Sequence, residues 1–125
     1  MKLHKEVVLT EAESEVMAVV WEKFPITIRE IFSSIIKKRD VAYTTVATTV
    51  KILEDKKFLT SEKSNKAHLF KPLVEKNTYR RFAARTLIDK LFGGEASNLV
   101  MNLIKDEELT AEEKDSIRKL FEESL

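Results

Sequence analysis

Two prolines, Pro25 and Pro72, and two glycines, Gly93 and Gly94, are all that this chain of 125 residues has of either type. Turns that fix φ near −65° or require a positive φ draw on these residue types. A chain with so few of them has few and short loops, and such a composition favours helices. The four residues also mark boundaries. Pro25 ends a first helical pattern, Pro72 closes a segment of β character, and Gly93-Gly94 breaks a long helical pattern. The segments between these marks must pack against one another, as one compact domain or as one domain with an appendage.

Each segment carries its own period. In LTEAESEVMAVVWEKF, Thr10 and Glu13 have capping-box spacing, and Ala12, Val16, Val19 and Val20 share a helical face with Trp21 beside them. A second helix begins near Thr27, with Ile28, Ile31, Phe32, Ile35 and Ile36 as its stripe and Lys37, Lys38 and Arg39 at its C-terminal, electronegative end. A third runs to about Lys56. Two runs of β character, near 58–63 and 67–71, flank Ser64-Asn65-Lys66 and predict a hairpin. A long helix follows from about Val74 to Phe92, then a short one over roughly 95–105. A terminal helix opens on a second capping box, Thr110 to Glu113. Three helices followed by a two-stranded hairpin is the layout of a winged helix-turn-helix. The expected fold is therefore mainly α with a small β-hairpin wing: a winged helix-turn-helix domain over residues 1–72 and a helical dimerisation region over 73–125.

The third helix is unusual in composition. VAYTTVATTVKIL holds Thr44, Thr45, Thr48 and Thr49, although threonine loses χ1 freedom in a helix. At 100° per residue, Val46, Thr49, Val50 and Leu53 fall on one side and can cover the first two helices. Thr44, Thr48, Lys51 and Asp55 fall opposite, flanked by Ala47 and Thr45. A helix surface selected for stability alone would carry Glu, Lys, Gln and Ala there. Short hydroxyl side chains suit close approach to the DNA major groove, where they bond phosphates or base edges and offer methyls to thymine. Hydroxyls that merely bond the carbonyl one turn back are the structural alternative. The hairpin tip, Lys63-Ser64-Asn65-Lys66, is cationic, as a wing against phosphates would be, and equally as an ordinary solvated turn would be. Tyr43, Thr44, Thr45, Ala47, Thr48, Lys51, Lys63, Asn65 and Lys66 are the candidate DNA contacts.

The last 50 or so residues carry three apolar stripes, with Tyr79, Phe82, Leu91, Leu99, Val100, Leu103, Ile117, Leu120 and Phe121 among them. Segments of that size bury too little surface to be stable alone, and an exposed apolar patch marks an interface. A homodimer is the expected solution. The chain has no cysteine, which excludes disulfides, thiolate metal sites and a cysteine nucleophile. His4 and His68 stand alone, without a second histidine at ligand spacing, and no glycine-rich phosphate loop occurs. The pairs Glu107-Glu108 and Glu112-Glu113 sit at helix starts, where the dipole favours them. The expectation is a non-enzyme without metal or cofactor. No apolar run approaches the roughly 20 residues that span a bilayer and no signal peptide precedes the first helix, so a cytoplasmic location without membrane insertion is expected. The front is mildly basic and the rear acidic, although the net charge is only +1.

The stretches LTEAESEVMAVVWE, AYTTVATTVKILEDKKFL and AHLFKPLVEKNTY, with the later SNLVMNLIKDEELT, resemble the penicillinase repressor family (BlaI/MecI type, with the copper-responsive CopY relatives). The resemblance runs from Leu9 to about Phe121. It implies a homodimeric repressor whose winged helix binds a dyad-symmetric operator and whose C-terminal helices form the dimer. In β-lactam-responsive members a membrane sensor-transducer protease acts, indirectly, to trigger cleavage of an Asn–Phe bond in the dimerisation region. The aligned bond here is Asn102–Leu103, with leucine in place of phenylalanine. Leu103 also lies on the apolar stripe of its helix, which favours packing as its role. The cysteine pairs of the copper-sensing members are absent. Lys56-Lys57 stands where many members have Lys-Gly, Asn65-Lys66 where many have Gly-Arg, and Ile52 where an arginine is common. A winged helix that binds only protein partners is the alternative reading. Salt dependence separates the two, because DNA binding falls steeply with rising salt.

Overall fold

The computed structural model describes the backbone of residues 8–124. The elements are α1 (Glu11–Glu22), α2 (Ile28–Ile36), α3 (Tyr43–Asp55), β1 (Leu59–Ser64), β2 (Ala67–Pro72), α4 (Lys76–Leu91), α5 (Ala96–Lys105) and α6 (Ala111–Ser124). They follow the expected order, and boundaries differ from the sequence reading by a residue or two. The chain divides between Phe82 and Ala83 into two compact units, and α4 contributes to both.

In the first unit the three helices pack on each other and on the hairpin, in the arrangement of a winged helix-turn-helix. α1 opens on the expected capping box: Thr10 Oγ1 accepts from the Glu13 amide and Glu13 Oε1 accepts from the Thr10 amide at 2.9 Å. α2 opens on another, Thr27 with Glu30, which the sequence also spells but which was not expected. The buried residues of α1 are Glu13, Val16, Met17 and Val20, so the stripe is rotated from the expected one and Ala12 is exposed. Glu13 is tolerated inside because both carboxylate oxygens are satisfied: Lys56 Nζ donates to its Oε2 at 2.7 Å. Burial alone would raise this carboxyl, but the Lys56 ammonium and the Thr10 amide outweigh it and hold the group below the usual carboxylate range.

α3 buries Val46, Thr49, Val50 and Leu53, the face read from its period. It ends in a Schellman motif: the Lys57 amide donates to Glu54 O and the Phe58 amide to Leu53 O. The motif's apolar pair, Leu53 and Phe58, is fully buried. Each such side chain stabilises by about 1.5–3 kcal/mol relative to exposure. Lys57 takes the left-handed conformation, φ 67°.

β1 and β2 pair antiparallel from Leu59↔Pro72 to Ser64↔Ala67, leaving Asn65-Lys66 as a two-residue loop with Asn65 at φ 56°. Asparagine accepts a positive φ more readily than most residues. Ile26, after the cis Phe24–Pro25 peptide bond, bridges to Phe70 on the other side of β2. The first part of α4 completes this core. Tyr79 is buried, its ring against Trp21, Phe58 and Phe82, and its hydroxyl accepts from the Leu9 amide at 2.8 Å. Trp21 Nε1 donates to Val74 O just before the helix.

In the second unit Phe92-Gly93-Gly94 turns the chain out of α4, with both glycines at positive φ. α6 opens on the expected Thr110–Glu113 capping box. Ile88 is the buried apolar residue among those described there; Leu87, Leu91, Met101, Leu103, Ile104 and Leu120 are exposed. No helix among the described residues is long and apolar enough to cross a membrane.

Candidate functional site

Threonine occurs on both faces of α3, for different reasons. Thr49 is buried, and its hydroxyl donates to Thr45 O at 2.9 Å, so it spends its polar group one turn back along its own helix. Thr44, Thr45 and Thr48 are exposed together with Lys51, and Ala47 is half-buried. Lys51 Nζ lies 3.5 Å from Asp55 Oδ1, with both side chains about two-thirds or more exposed. A pair so solvated is worth little, and the ammonium can turn to another anion.

The start of α3 differs from those of α1 and α2. Ala42 occupies the N-cap and makes no side-chain cap hydrogen bond. The first amides of α3 are therefore left without a side-chain acceptor, at the electropositive end of a 13-residue helix. Tyr43 stands at this end, 39% exposed. Its ring packs edge-on against Phe32 at 5.4 Å, and the Arg29 guanidinium lies 5.6 Å from its centroid. Tyr43 is thereby fixed from α2, and an exposed cation is held next to the N-terminus of α3. Sequence reasoning passed over Arg29. Its signal was position: it is the single basic residue of α2, in the first turn, off the apolar stripe.

The hairpin is tied to α3 as well. Ser61 Oγ donates to Glu54 Oε2 at 2.8 Å. At the tip, Lys63, Asn65 and Lys66 are all exposed. Lys63 sits opposite His68, also exposed. His4 lies outside the described residues. Among the described residues no group of three or more His, Cys, Asp or Glu side chains is placed to hold a metal.

The residues expected at a subunit interface divide between the two units. Tyr79 and Phe82 belong to the first, where Tyr79 is taken up by the core already described. In the second, Leu91 and Leu120 are 68% and 65% exposed, Leu103 is exposed, and Leu99, Val100 and Ile117 are half-buried. The side chain of Phe121 lies outside the described part. Asn102 and Leu103 are consecutive residues inside α5, both exposed, and Asn102 Nδ2 donates to Asn98 O at 2.8 Å.

Residues 9–123 match the family model described as penicillinase repressor. A penicillinase repressor of Staphylococcus aureus is 29% identical over 118 residues, covering 94% of each chain. The methicillin resistance regulatory protein MecI of Mammaliicoccus sciuri is 28% identical over 90% of this chain and 92% of its own. The transcriptional regulator BlaI of Mycobacterium tuberculosis is 27% identical over 92% of this chain and 83% of its own. A solved structure of a ZitR variant from Lactococcus lactis aligns with a TM-score of 0.49 at 14% identity, over 98% of this chain and 77% of that one.

Proposed function

The chain belongs to the penicillinase repressor family, a family of transcriptional repressors and not of enzymes, and from that premise we propose that it acts as a homodimer on a dyad-symmetric operator. The observation that carries the reading is the division of α3. Its apolar residues and Thr49 close the core, while Thr44, Thr45, Thr48 and Lys51 stand exposed beside an N-terminus without a side-chain cap. An electropositive helix end bearing short hydroxyl side chains suits the major groove. Arg29, Lys63 and Lys66 supply cations for the flanking phosphates, which position the protein without reading sequence. Residues 1–72 form the reading part, buttressed by the start of α4 through Tyr79, and the rest of residues 73–125 assemble the dimer.

Support for assembly comes from the second unit, where Leu91, Leu103, Ile104 and Leu120 are exposed and Ile88 is the buried apolar residue among those described. A second copy covering these side chains removes an otherwise large apolar surface from water. Two reading helices then meet successive major-groove faces roughly 34 Å apart, and each half-site alone binds far more weakly than the pair. Leu103 belongs to this apolar surface, and packing is the role assigned to it in preference to cleavage of Asn102–Leu103 by a sensor-triggered protease.

Two measurements test the reading. Fluorescence anisotropy on duplex DNA should show affinity falling steeply with salt; a salt-independent interaction would favour a protein-binding module. Sedimentation at tens of micromolar should give a dimer, and Leu99→Asp or Leu120→Asp should give monomers with weak operator binding. A wild type that sediments only as monomer sinks the assembly and the dyad together.

A further inference from the structure

The exposed side of α3 is two rows, and they differ in chemistry. With neighbours three and four apart, one row is Thr44, Thr48, Lys51 and Asp55, polar throughout, with the Lys51–Asp55 pair at its end, and it shares Thr48 with the second. The other is Thr45, Thr48 and Ile52. Ile52 is 40% exposed in the last turns of the helix, while Leu53, the next residue, is fully buried. A lone exposed isoleucine is ordinary on a protein surface. This one extends a row in which Thr45 and Thr48 also carry methyl groups, and its side chain has no atom that donates or accepts a hydrogen bond.

In a major groove the edges of guanine, cytosine and adenine present donors and acceptors, and thymine alone adds a methyl group. A polar base edge placed against Ile52 would lose water without gaining a partner. Thymine C5-methyl placed there loses nothing and removes apolar surface from water on both sides. At a 1.5 Å rise, the seven steps from Thr45 to Ile52 span roughly 10 Å, about three base-pair steps. We propose that Ile52 is a specificity-determining residue that reads the C5-methyl of one thymine in each operator half-site. The assignment rests on the repressor reading above and names what that site prefers.

The test uses the full chain and a random duplex library. Wild type should select a dyad with thymine at one symmetry-related pair of positions. Ile52→Ala should lose that preference and keep the others. Ile52→Arg should replace it by guanine, whose O6 and N7 accept a guanidinium fork. On the selected duplex, replacing that thymine by uracil removes the methyl and leaves every hydrogen-bonding group in place. Wild-type affinity should fall about fourfold for each half-site so changed, the worth of one buried methyl, and the Ile52→Ala variant should not respond. The uracil arm leaves the protein untouched, so a folding defect in a variant cannot mimic the result. If wild type selects a dyad that Ile52→Ala selects unchanged, or if uracil has no effect at any thymine, the assignment falls and the repressor reading stands. If wild type selects no duplex at all, both fall.

Discussion

Lys57 terminates α3 at φ 67°, a conformation that costs an L-residue about 1–2 kcal/mol. Glycine adopts it freely but loses more backbone freedom on folding, which sets about 0.4–1 kcal/mol against the gain. Lys57→Gly should therefore stabilise the first unit by about 0.5–1 kcal/mol. The two Schellman hydrogen bonds, from Lys57 to Glu54 and from Phe58 to Leu53, are made by main-chain atoms and survive the change. The Lys57 side chain is exposed, so little packing is lost. For a unit of this size that gain raises the melting temperature by about 2–8 °C, measured by scanning calorimetry on the full chain. Lys57→Ala is the matched control, since alanine shortens the side chain yet keeps the strain, and it should melt near the wild type. A Lys57→Gly protein that melts at or below wild type would refute the strain argument. Equal gains from both variants would trace the effect to the side chain.

Other expectations follow from the same geometry. Lys51→Ala should weaken binding to all DNA and lower the salt slope by about one phosphate contact, read from anisotropy titrations at several salt concentrations. Thr48→Val should cost about 1–3 kcal/mol more on operator than on random duplex if its hydroxyl bonds a base; equal losses would leave Thr48 a positioning residue. The Lys63→Ala/Lys66→Ala double variant should weaken every sequence alike, and unchanged non-specific affinity would remove the wing from the interface. The Glu13 carboxyl is held below its ordinary range in the folded chain, so its contribution is present above the unfolded pKa and is lost as pH falls through the folded one. Glu13→Gln should flatten the loss of stability that sets in as pH falls below the ordinary carboxyl value of 4.5, followed by urea denaturation across pH.

The fold was legible because its signals are local. Capping boxes, a 3.6-residue apolar period and two short β runs around an asparagine turn each point to one structure, and they agree with one another. The buried face of α3 came out residue for residue. The α1 stripe did not, because a glutamate was not considered as a core residue; only the partner Lys56, 43 positions away, makes it one. Tyr79 shows the other limit. Its place in the helical period says that its side is covered, and periodicity is silent on what covers it. The covering groups are Trp21, Phe58 and the Leu9 amide, all distant in sequence. At the candidate site the exposed threonines could be read from the wheel. Arg29 could not, because its role depends on the approach of α2 to Tyr43 across a turn that no period describes.

The bridge between Ile26 and Phe70 has a consequence for how the hairpin moves in time. Their two mutual hydrogen bonds, 3.0 and 2.7 Å, make β2 paired on both sides at its base. Nothing comparable holds the Asn65-Lys66 end among the described residues. Opening at the base must break the bridge and expose Phe70, so those amides should exchange with solvent deuterium only on sub-global unfolding, while amides near the tip exchange through small local fluctuations. The hairpin thus behaves as a rod with a fixed root and a free end, able to adjust to the curvature of whatever its cationic tip meets without releasing the core it grows from.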